Sequence, residues 1–432
     1  MLDIKYIRDN PDKVQQNTLN KGYKADIKLL LDLDANRKKL QQEVDDLREQ
    51  RNTIVAKTKG SKPSIEVINE GKVIRQKLIQ IEADFKEVDD KFNQLLKQVP
   101  NMSLDNIPVG NSEDDNKVIK TVGELPKFDF KPKNHIEIAA QHGWIDKERA
   151  AKVTGSRFAY IMGDLVKLQL AILQFAMDTL TNEAIIKEII ETNRLDISTK
   201  PFQPVLPPLM IKTDMYDAMD RLEPREERYK IEGDDLWLQG SAEHVLGSIY
   251  ANEIINEVDL PVRYIGYAPS FRREAGSYGS DMEGIMRMHQ FDKIEMESFS
   301  NSKNSLTEHK LFIAIQEYLL SKLGLPYQVV QKCTFDIGKP NASGVDMEVW
   351  LPGQNRYRET HSADYMTDYQ ARRLNTRVRQ ADGKLELAHT NDATVFAMGR
   401  TMIAILENNQ TADGRVMVPE VLKQYLGQRD TL

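Results

Sequence analysis

Arg272 and Glu274 stand two apart in SFRRE, and a little further on the chain reads Arg287-Met288-His289-Gln290-Phe291-Asp292-Lys293-Ile294-Glu295-Met296. A β-strand turns successive side chains to opposite sides. In the second segment it sends Arg287, His289, Phe291, Lys293 and Glu295 to one face and Met288, Ile294 and Met296 to the other. By the same rule Arg272 and Glu274 share a face of the preceding strand, with Phe271 and Arg273 opposite. A β-hairpin over residues 264–274 and 286–297 is therefore expected, with a glycine-rich acidic loop between its strands. Such a hairpin has one core face and one face of arginines, carboxylates and an aromatic ring. Charge on one side of an antiparallel pair is often only solvated. The other reading is the wall of a cavity, where arginine's planar, permanently charged fork binds phosphate or carboxylate.

The whole chain bounds what that face can serve. With 432 residues, 40% hydrophobic and 29% charged, it has room for two domains and a large core. No apolar run nears the roughly eighteen residues of a membrane span. The opening MLDIKYIRDNPDKVQQ lacks the apolar stretch of a secretory signal, so a cytoplasmic protein without a membrane partner is expected. Cys333 is the single cysteine, which excludes an internal disulfide, and the seven histidines are scattered without zinc spacing. Any metal would be a hard cation on oxygen ligands. A net charge of −7 speaks against general binding of polyanions such as DNA, while leaving room for a local basic patch. Neither GxxxxGK[ST] nor GxGxxG occurs, so a nucleotide site must be built from side chains.

Residues 1–105 differ from the remainder. Leu33, Leu40, Leu47 and Ile54 are seven apart, with Val44 at an intermediate position and Arg37 and Arg51 at others of that kind. Ile74, Leu78, Ile81, Phe85, Val88, Phe92, Leu95 and Val99 step alternately by four and three. These are heptad seams, and KTKGSKPS between them, with Gly60 and Pro63, reverses the chain. An antiparallel coiled-coil hairpin of two helices, each roughly 45 Å long, is expected as a projecting arm because its apolar stripe is narrow. Packing as half of a bundle is the alternative. Residues 106–120 read as a linker and 121–432 as a second domain. There, residues 165–180 read as an amphipathic helix, 205–211 as a short strand, 306–323 as a helix and 344–351 as a strand. Val395, Met398, Met402, Ile405 and Leu406 mark a final helix. Hairpins with flanking helices imply an α+β fold around an antiparallel sheet.

The segment 271–295, FRREAG…G.D..G..R.HQF.K.E, is similar to motif 2 of the class II aminoacyl-tRNA synthetases, in the form found in the seryl-tRNA synthetase family. Residues 399–427, GRTMIAILENNQ…DGRVMVPEVLKQYLG, resemble that family's motif 3 and C-terminal tail. Pro208 in VLPPL matches motif 1, and TDYQARRLNTR, 367–377, resembles another of its segments. With the helical arm and the NIP.G linker, the matches follow the family's order over nearly the whole chain.

This resemblance implies an N-terminal tRNA-binding domain followed by a class II catalytic domain. The implied reaction is ATP-dependent activation of L-serine to seryl-adenylate, then transfer to the 3′ terminal adenosine of tRNA(Ser). A homodimer across motif 1 and a second acceptor, tRNA(Sec), belong to the same expectation, with ATP as substrate and Mg²⁺ as cofactor. Negative charge builds on the α-phosphorus and on the departing pyrophosphate, and arginines must flank it. The resemblance gives the catalytic roles to Arg272, between α-phosphate and substrate carboxylate, and to Arg400, at the γ-phosphate end. It puts Arg287 near the β- and γ-phosphates, Glu274 on the adenine amino group and Phe291 against the purine, with Arg273, Thr360 and His361 completing the ATP site. Glu359 and Ser362 fall at its Mg²⁺ positions, where hard oxygens and few protein ligands suit the ion. Serine is assigned to Ser241, Ala242, Glu243, Arg272, Glu295, Asp392 and Thr394, with Glu295 on the ammonium and Thr394 on the hydroxyl. Such a pocket rejects alanine because a missing hydroxyl leaves buried polar groups unpaired.

The chain departs from the family pattern at Ser241, where threonine is usual, and at Asn391-Asp392-Ala393-Thr394, where leucine-asparagine precedes the small residue. It departs again at Thr360-His361-Ser362-Ala363-Asp364, where serine and cysteine dominate, and in the long stretch 182–200. Asp392 either accepts the substrate hydroxyl, balanced by His389, His361 or the substrate ammonium, or caps the motif 3 helix. Two further readings are a ligase of this fold that loads a small amino acid on another carrier, and a catalytically dead scaffold. The heptad hairpin speaks against the first, and Arg272, Glu274, Arg287, Glu359 and Arg400 against the second.

Overall fold

The computed structural model describes residues 1–58, 64–274 and 284–432, so Gly60, Pro63 and the loop between the two motif 2 segments lie outside the described residues. The chain divides into two units, Met1–Met102 and Ser103–Leu432. Among the described residues no helix is long and apolar enough to cross a membrane.

The first unit is built on α1 (Ile27–Thr58) and α2 (Ile65–Gln98), preceded by the short helices Ile4–Asp9 and Pro11–Asn20. At 32 and 34 residues, α1 and α2 each run about 50 Å. They are antiparallel, since Arg37 pairs with Asp89 at 3.1 Å while Arg48, further along α1, pairs with Glu82 at 2.8 Å. The heptad seam buries Val44, Ile74, Leu78 and Phe92, and near its end Leu96 is buried where Leu95 is only half-buried. Arginine fits a seam position because the Arg37 guanidinium lies over the Phe92 ring, 4.1 Å from its centroid, with its charge on Asp89. Ser64 caps α2, its hydroxyl accepting from the Val67 amide at 3.4 Å.

The second unit centres on an eight-stranded sheet. Its strands in chain order are β1 (Lys117–Val122), β2 (Gln203–Val205), β3 (Val262–Phe271), β4 (Gln290–Ser300), β5 (Tyr327–Gln331), β6 (Ser343–Leu351), β7 (Arg356–Thr367) and β8 (His389–Ala397). They lie in the order β1-β5-β6-β7-β8-β4-β3-β2, antiparallel except for the edge pair β2 and β3. One face packs on α3 (Asp164–Leu180), α4 (Ser305–Lys322) and α5 (Met398–Asn408), burying Leu168, Ile172, Ile294, Met296, Phe312, Met347 and Ile405 in one core. Fully burying each such side chain contributes roughly 1.5–3 kcal/mol. The opposite face carries the polar residues, beside a small apolar cluster that includes Tyr264, Ala268 and Phe299.

Several elements differ from expectation. The stretch 205–211 is no single strand: β2 stops at Val205, and Met210–Lys212 pairs with Leu236–Leu238 instead. Pro207 and Pro208 have no N–H and cannot carry a ladder across the gap. The motif 2 hairpin is shorter than its alternating pattern. Its last pair is Phe271 with Gln290, so Arg272, Glu274, Arg287 and His289 lie just beyond the ladder. Val395 belongs to β8, not to the following helix, which begins at Met398; the chain then adds a further short helix, Glu420–Lys423. The sheet already begins at Lys117, inside the stretch read as linker. Within 182–200 the chain forms the helix Glu183–Thr192, capped by Asn182 and burying Ile186, Ile189 and Ile190.

Candidate active site

Strand register assembles the polar face. On β7, Ala363 pairs with Ala393 of β8, so the adjacent Ser362 and Thr394 meet, their hydroxyls 3.3 Å apart. Thr394 lies opposite Glu295 of β4, which in turn faces Gly266 of β3. Two residues along each strand, a second row holds Asp364, Asp392, Glu297 and Tyr264. In the other direction come Lys293, opposite Ala397 and Ala268, and then Phe291, opposite Ser270. Glu359 and Ser362 are three apart, a spacing that a regular strand would split between faces. The register slips between them: Glu348 pairs with Glu359 and Met347 with His361, leaving Thr360 as the extra residue. That bulge brings Glu359 and Ser362 to the same side. A second slip, at Val395, does the same for Thr394 and Ala397.

Phe291, Lys293, Ser362 and Thr394 from these rows line a cavity of about 230 Å³ together with Arg272, Glu274, Arg287, Glu359, Thr360 and Arg400, and with Met286, Met288 and Gly399, while the second row lies outside its lining. The Arg272 guanidinium lies 5.3 Å from the Phe291 ring centroid, and its Nε donates to the Gly240 carbonyl at 2.9 Å. Among the described residues it makes no ion pair, so its charge is available to an anion. Arg287 pairs with Glu274 at 3.1 Å and Arg400 with Glu359 at 3.1 Å. Partial loss of hydration pushes the half-exposed Glu359 carboxyl up, and Arg400 with Lys332 outweighs it, holding the group at about 2. Gly399 opens α5 onto the cavity where a side chain could not fit, since a Cβ would stand 2.9 Å from the Ile285 carbonyl oxygen.

Next to this cavity lies a buried charge cluster. The Ser241 hydroxyl donates to Glu295 Oε1 at 2.7 Å, while Lys293 Nζ pairs with the same carboxylate and donates to Ser241 Oγ at 3.2 Å. Burial pushes Glu295 up to about 7, opposed by Lys293 and reinforced by Glu243. Glu243 lies 3.3 Å from His244, which burial lowers to about 4 and so keeps neutral. An ammonium already sits on Glu295, in the form of Lys293. The carboxylate is thus built to hold such a cation, and an incoming one must share it.

Most of the expected residues converge here, with exceptions. His361 is on the core face: 1% exposed, bonded to the Thr360 hydroxyl at 2.7 Å and edge-on to Phe396. The bulge that turns Glu359 inward turns His361 outward, and burial lowers its ring to about 3. It cannot contact ATP through its side chain or balance Asp392. His389 also faces away, bonded to Ser305 at 2.9 Å. Arg273 is exposed and lies over the Tyr229 ring rather than the cavity, as alternation at the strand end requires. Ala242 is fully buried in an apolar cluster with Leu246 and Ala268. Asp392 caps nothing, because α5 starts six residues later with Ala397 as its cap. Its partner is Arg221, at 3.2 Å. Sequence reasoning put Lys293 on this face without giving it a role, and missed Arg221. Lys293 was visible, since it shares parity with Phe291 and Glu295; Arg221 carries no local signal.

The Seryl-tRNA synthetase N-terminal domain family matches residues 1–103, and the tRNA synthetase class II core domain (G, H, P, S and T) family matches residues 227–409. The chain is 38% identical over 442 residues to a Serine--tRNA ligase of Methanoregula boonei, covering 100% of both chains. It is 39% identical over 435 residues to one of Pseudothermotoga lettingae, covering 99% of each. Seryl-tRNA synthetase from Pyrococcus horikoshii complexed with ATP superposes with a TM-score of 0.88 at 36% identity, over 99% of this chain and 98% of that one. The cytoplasmic Serine-tRNA ligase of Naegleria fowleri in complex with AMP gives 0.84 at 26% identity, over 100% and 98%.

Proposed function

The chain belongs to the seryl-tRNA synthetase family, and from that premise we propose how its residues divide the work of joining serine to tRNA. The enzyme activates L-serine with ATP. A serine carboxylate oxygen attacks the α-phosphorus, the bond to pyrophosphate breaks, and seryl-adenylate remains. The terminal ribose hydroxyl of tRNA(Ser) then attacks the seryl carbonyl, AMP departs, and the ester forms. No protein nucleophile is required, because positioning and charge complementarity supply the catalysis.

Arg272 takes the α-phosphate and the serine carboxylate, since its guanidinium faces the cavity without an ion-pair partner among the described residues. Arg400 and Arg287, at the same cavity, bind the distal phosphates, exchanging Glu359 and Glu274 for ATP oxygens. Glu274, so released, accepts the adenine amino group, and Phe291 offers its ring to the purine. Glu295 and Ser241 hold the serine ammonium, and Thr394 bonds its hydroxyl. Glu359 and Ser362 would hold Mg²⁺. The bulge at Thr360 gives these two hard oxygen donors one face, and among the described residues no cluster of three His, Cys, Asp or Glu could hold an ion alone. That donor set fits an ion that draws its remaining ligands from phosphate and water. Bound there, it would neutralise phosphate charge.

The carrying observation is that one cavity gathers Arg272, Glu274, Arg287, Glu359, Ser362, Thr394 and Arg400 from four separated segments. The same reading gives residues 1–105 to tRNA binding and the remainder to the catalytic domain, with the expected 106–120 linker cut short at Lys117, where the sheet begins. It makes the enzyme a cytoplasmic homodimer across the Pro208 segment, where Leu206 is 81% exposed, and admits tRNA(Sec) as a second acceptor. Amino-acid-dependent ATP–pyrophosphate exchange over a panel of small amino acids, followed by charging of tRNA(Ser), tests it. Serine should dominate both. Exchange with serine but no charging would point to another carrier.

A further inference from the structure

The second row of the polar face is crowded with acid. Asp364, Asp392 and Glu297 stand side by side on β7, β8 and β4, with Glu297 fully buried and Asp392 6% exposed. Opposed side chains on neighbouring strands lie roughly 5 Å apart, so three carboxyls here repel one another. Neither oxygen of Glu297 has a hydrogen-bond partner among the described residues. The cation that enters the row is Arg221, whose Nη2 lies 3.2 Å from Asp392 Oδ2 and 3.9 Å from Asp364 Oδ2. Arg221 follows the helix Thr213–Ala218, and its carbonyl is held by Arg228 Nε at 3.0 Å. Asp392 and Asp364 belong to two of the segments in which the chain departs from its family's pattern. They face each other across β7 and β8 and share one guanidinium, so the two departures form a single set with Arg221.

We propose that Arg221 is a specificity-determining residue, which positions Asp392 as an acceptor one step beyond Thr394 on the same strand face and so demands a hydrogen-bond donor on the substrate side chain. This rests on the reading of Glu295 and Thr394 as serine ligands. Asp392 is two residues from Thr394 on the same strand face, one step of roughly 6.8 Å beyond the residue that meets the hydroxyl. Burial and the neighbouring carboxylates push the Asp392 carboxyl well above its usual range, and Arg221 is the charge that opposes them; with either charge state a carboxyl oxygen can accept, whereas a threonine hydroxyl can donate. A serine hydroxyl can therefore donate to Asp392 while accepting from Thr394. Alanine makes neither bond, and excludes water from Asp392 and Thr394 without replacing it, leaving Asp392 with Arg221 and Thr394 with Ser362 as their side-chain contacts. Arginine suits the task because it stays charged when buried, and its Nη2 lies near both carboxylates.

The test is pyrophosphate exchange by the full-length enzyme with serine and with alanine, in R221M, D392N, R221M/D392N and E295Q. R221M should raise the serine KM about tenfold, leave the ATP KM within about threefold, and cut the serine-over-alanine preference about tenfold, as loss of a charge-assisted contact implies. Adding D392N to R221M should return the serine KM to that of D392N alone, because the amide needs no cation. Serine and ATP KM rising together, or a double variant no better than R221M, would overturn the inference. Should R221M not fold, a folded double variant with the serine KM of D392N supports the pairing, and an unfolded one refutes it. E295Q separates this from the pocket assignment: if it leaves the serine KM unchanged, the pocket itself is wrongly placed. If it raises that KM while R221M does not, only the role of Arg221 fails.

Discussion

The α1–α2 pair and the polar face of the sheet are built on opposite principles. In the helical pair, residues that touch are related by a repeat, so every contact follows from a local spacing of three and four and from one reversal of the chain. On the sheet, residues that touch come from β3, β4, β7 and β8, more than a hundred positions apart at the extremes, and meet only through register. The helical pair spreads its stability over many equivalent seam positions. The sheet face concentrates charge that contributes little to packing, and two bulges, at Thr360 and Val395, decide which side chains join it. A repetitive element thus tolerates change at single positions, whereas the aperiodic site does not.

That contrast can be broken most severely at Arg272. Arg272→Ala should lower serine-dependent pyrophosphate exchange by about 10³-fold while the melting temperature stays unchanged, since one lost transition-state contact of this kind costs that much and the side chain supports little core. Near-normal exchange would remove Arg272 from the chemistry. Deleting residues 33–99 and bridging the ends should reduce kcat/KM for tRNA roughly 100-fold, with exchange within about threefold, because seam residues satisfy mainly one another. An equal fall in both activities would make the helices part of the catalytic unit.

Smaller effects sharpen it. Glu295→Gln should raise the serine KM about tenfold, the worth of one charged hydrogen bond. Because Glu295 is raised to about 7, the wild-type carboxyl keeps its proton below that pH and grips the ammonium poorly. The serine KM should therefore fall as the pH rises through 7, and this limb should vanish in the variant; a limb that persists belongs to another group. Arg37→Ala should weaken the helical pair by only about 1 kcal/mol, read as lost amide-exchange protection in α1, since it removes one half-buried cation–π contact and two partly exposed ion pairs, to Asp89 and Asp34. A loss of exchange activity in this variant would contradict the separation.

The sequence by itself determined the helical pair almost residue by residue, because helical periodicity is local and the seam reports its own partner. It also determined the chemistry of the motif 2 hairpin: alternation placed Phe291, Lys293 and Glu295 on one face, as the register confirms. The alternating pattern ran past the strand ends, where Arg272 and Arg287 lie off the ladder yet still line the cavity, and it failed at 205–211, where two prolines break the strand. Only the tertiary structure decided that Glu359 and Ser362 share a face while His361 turns to the core. A bulge is a choice between two registers whose energies depend on what each face buries, and no local pattern records it. The same holds for Arg221, which meets Asp392 across 171 positions of chain. Charge pairing of that kind is settled by packing, since a buried carboxylate selects whichever cation the fold brings within reach.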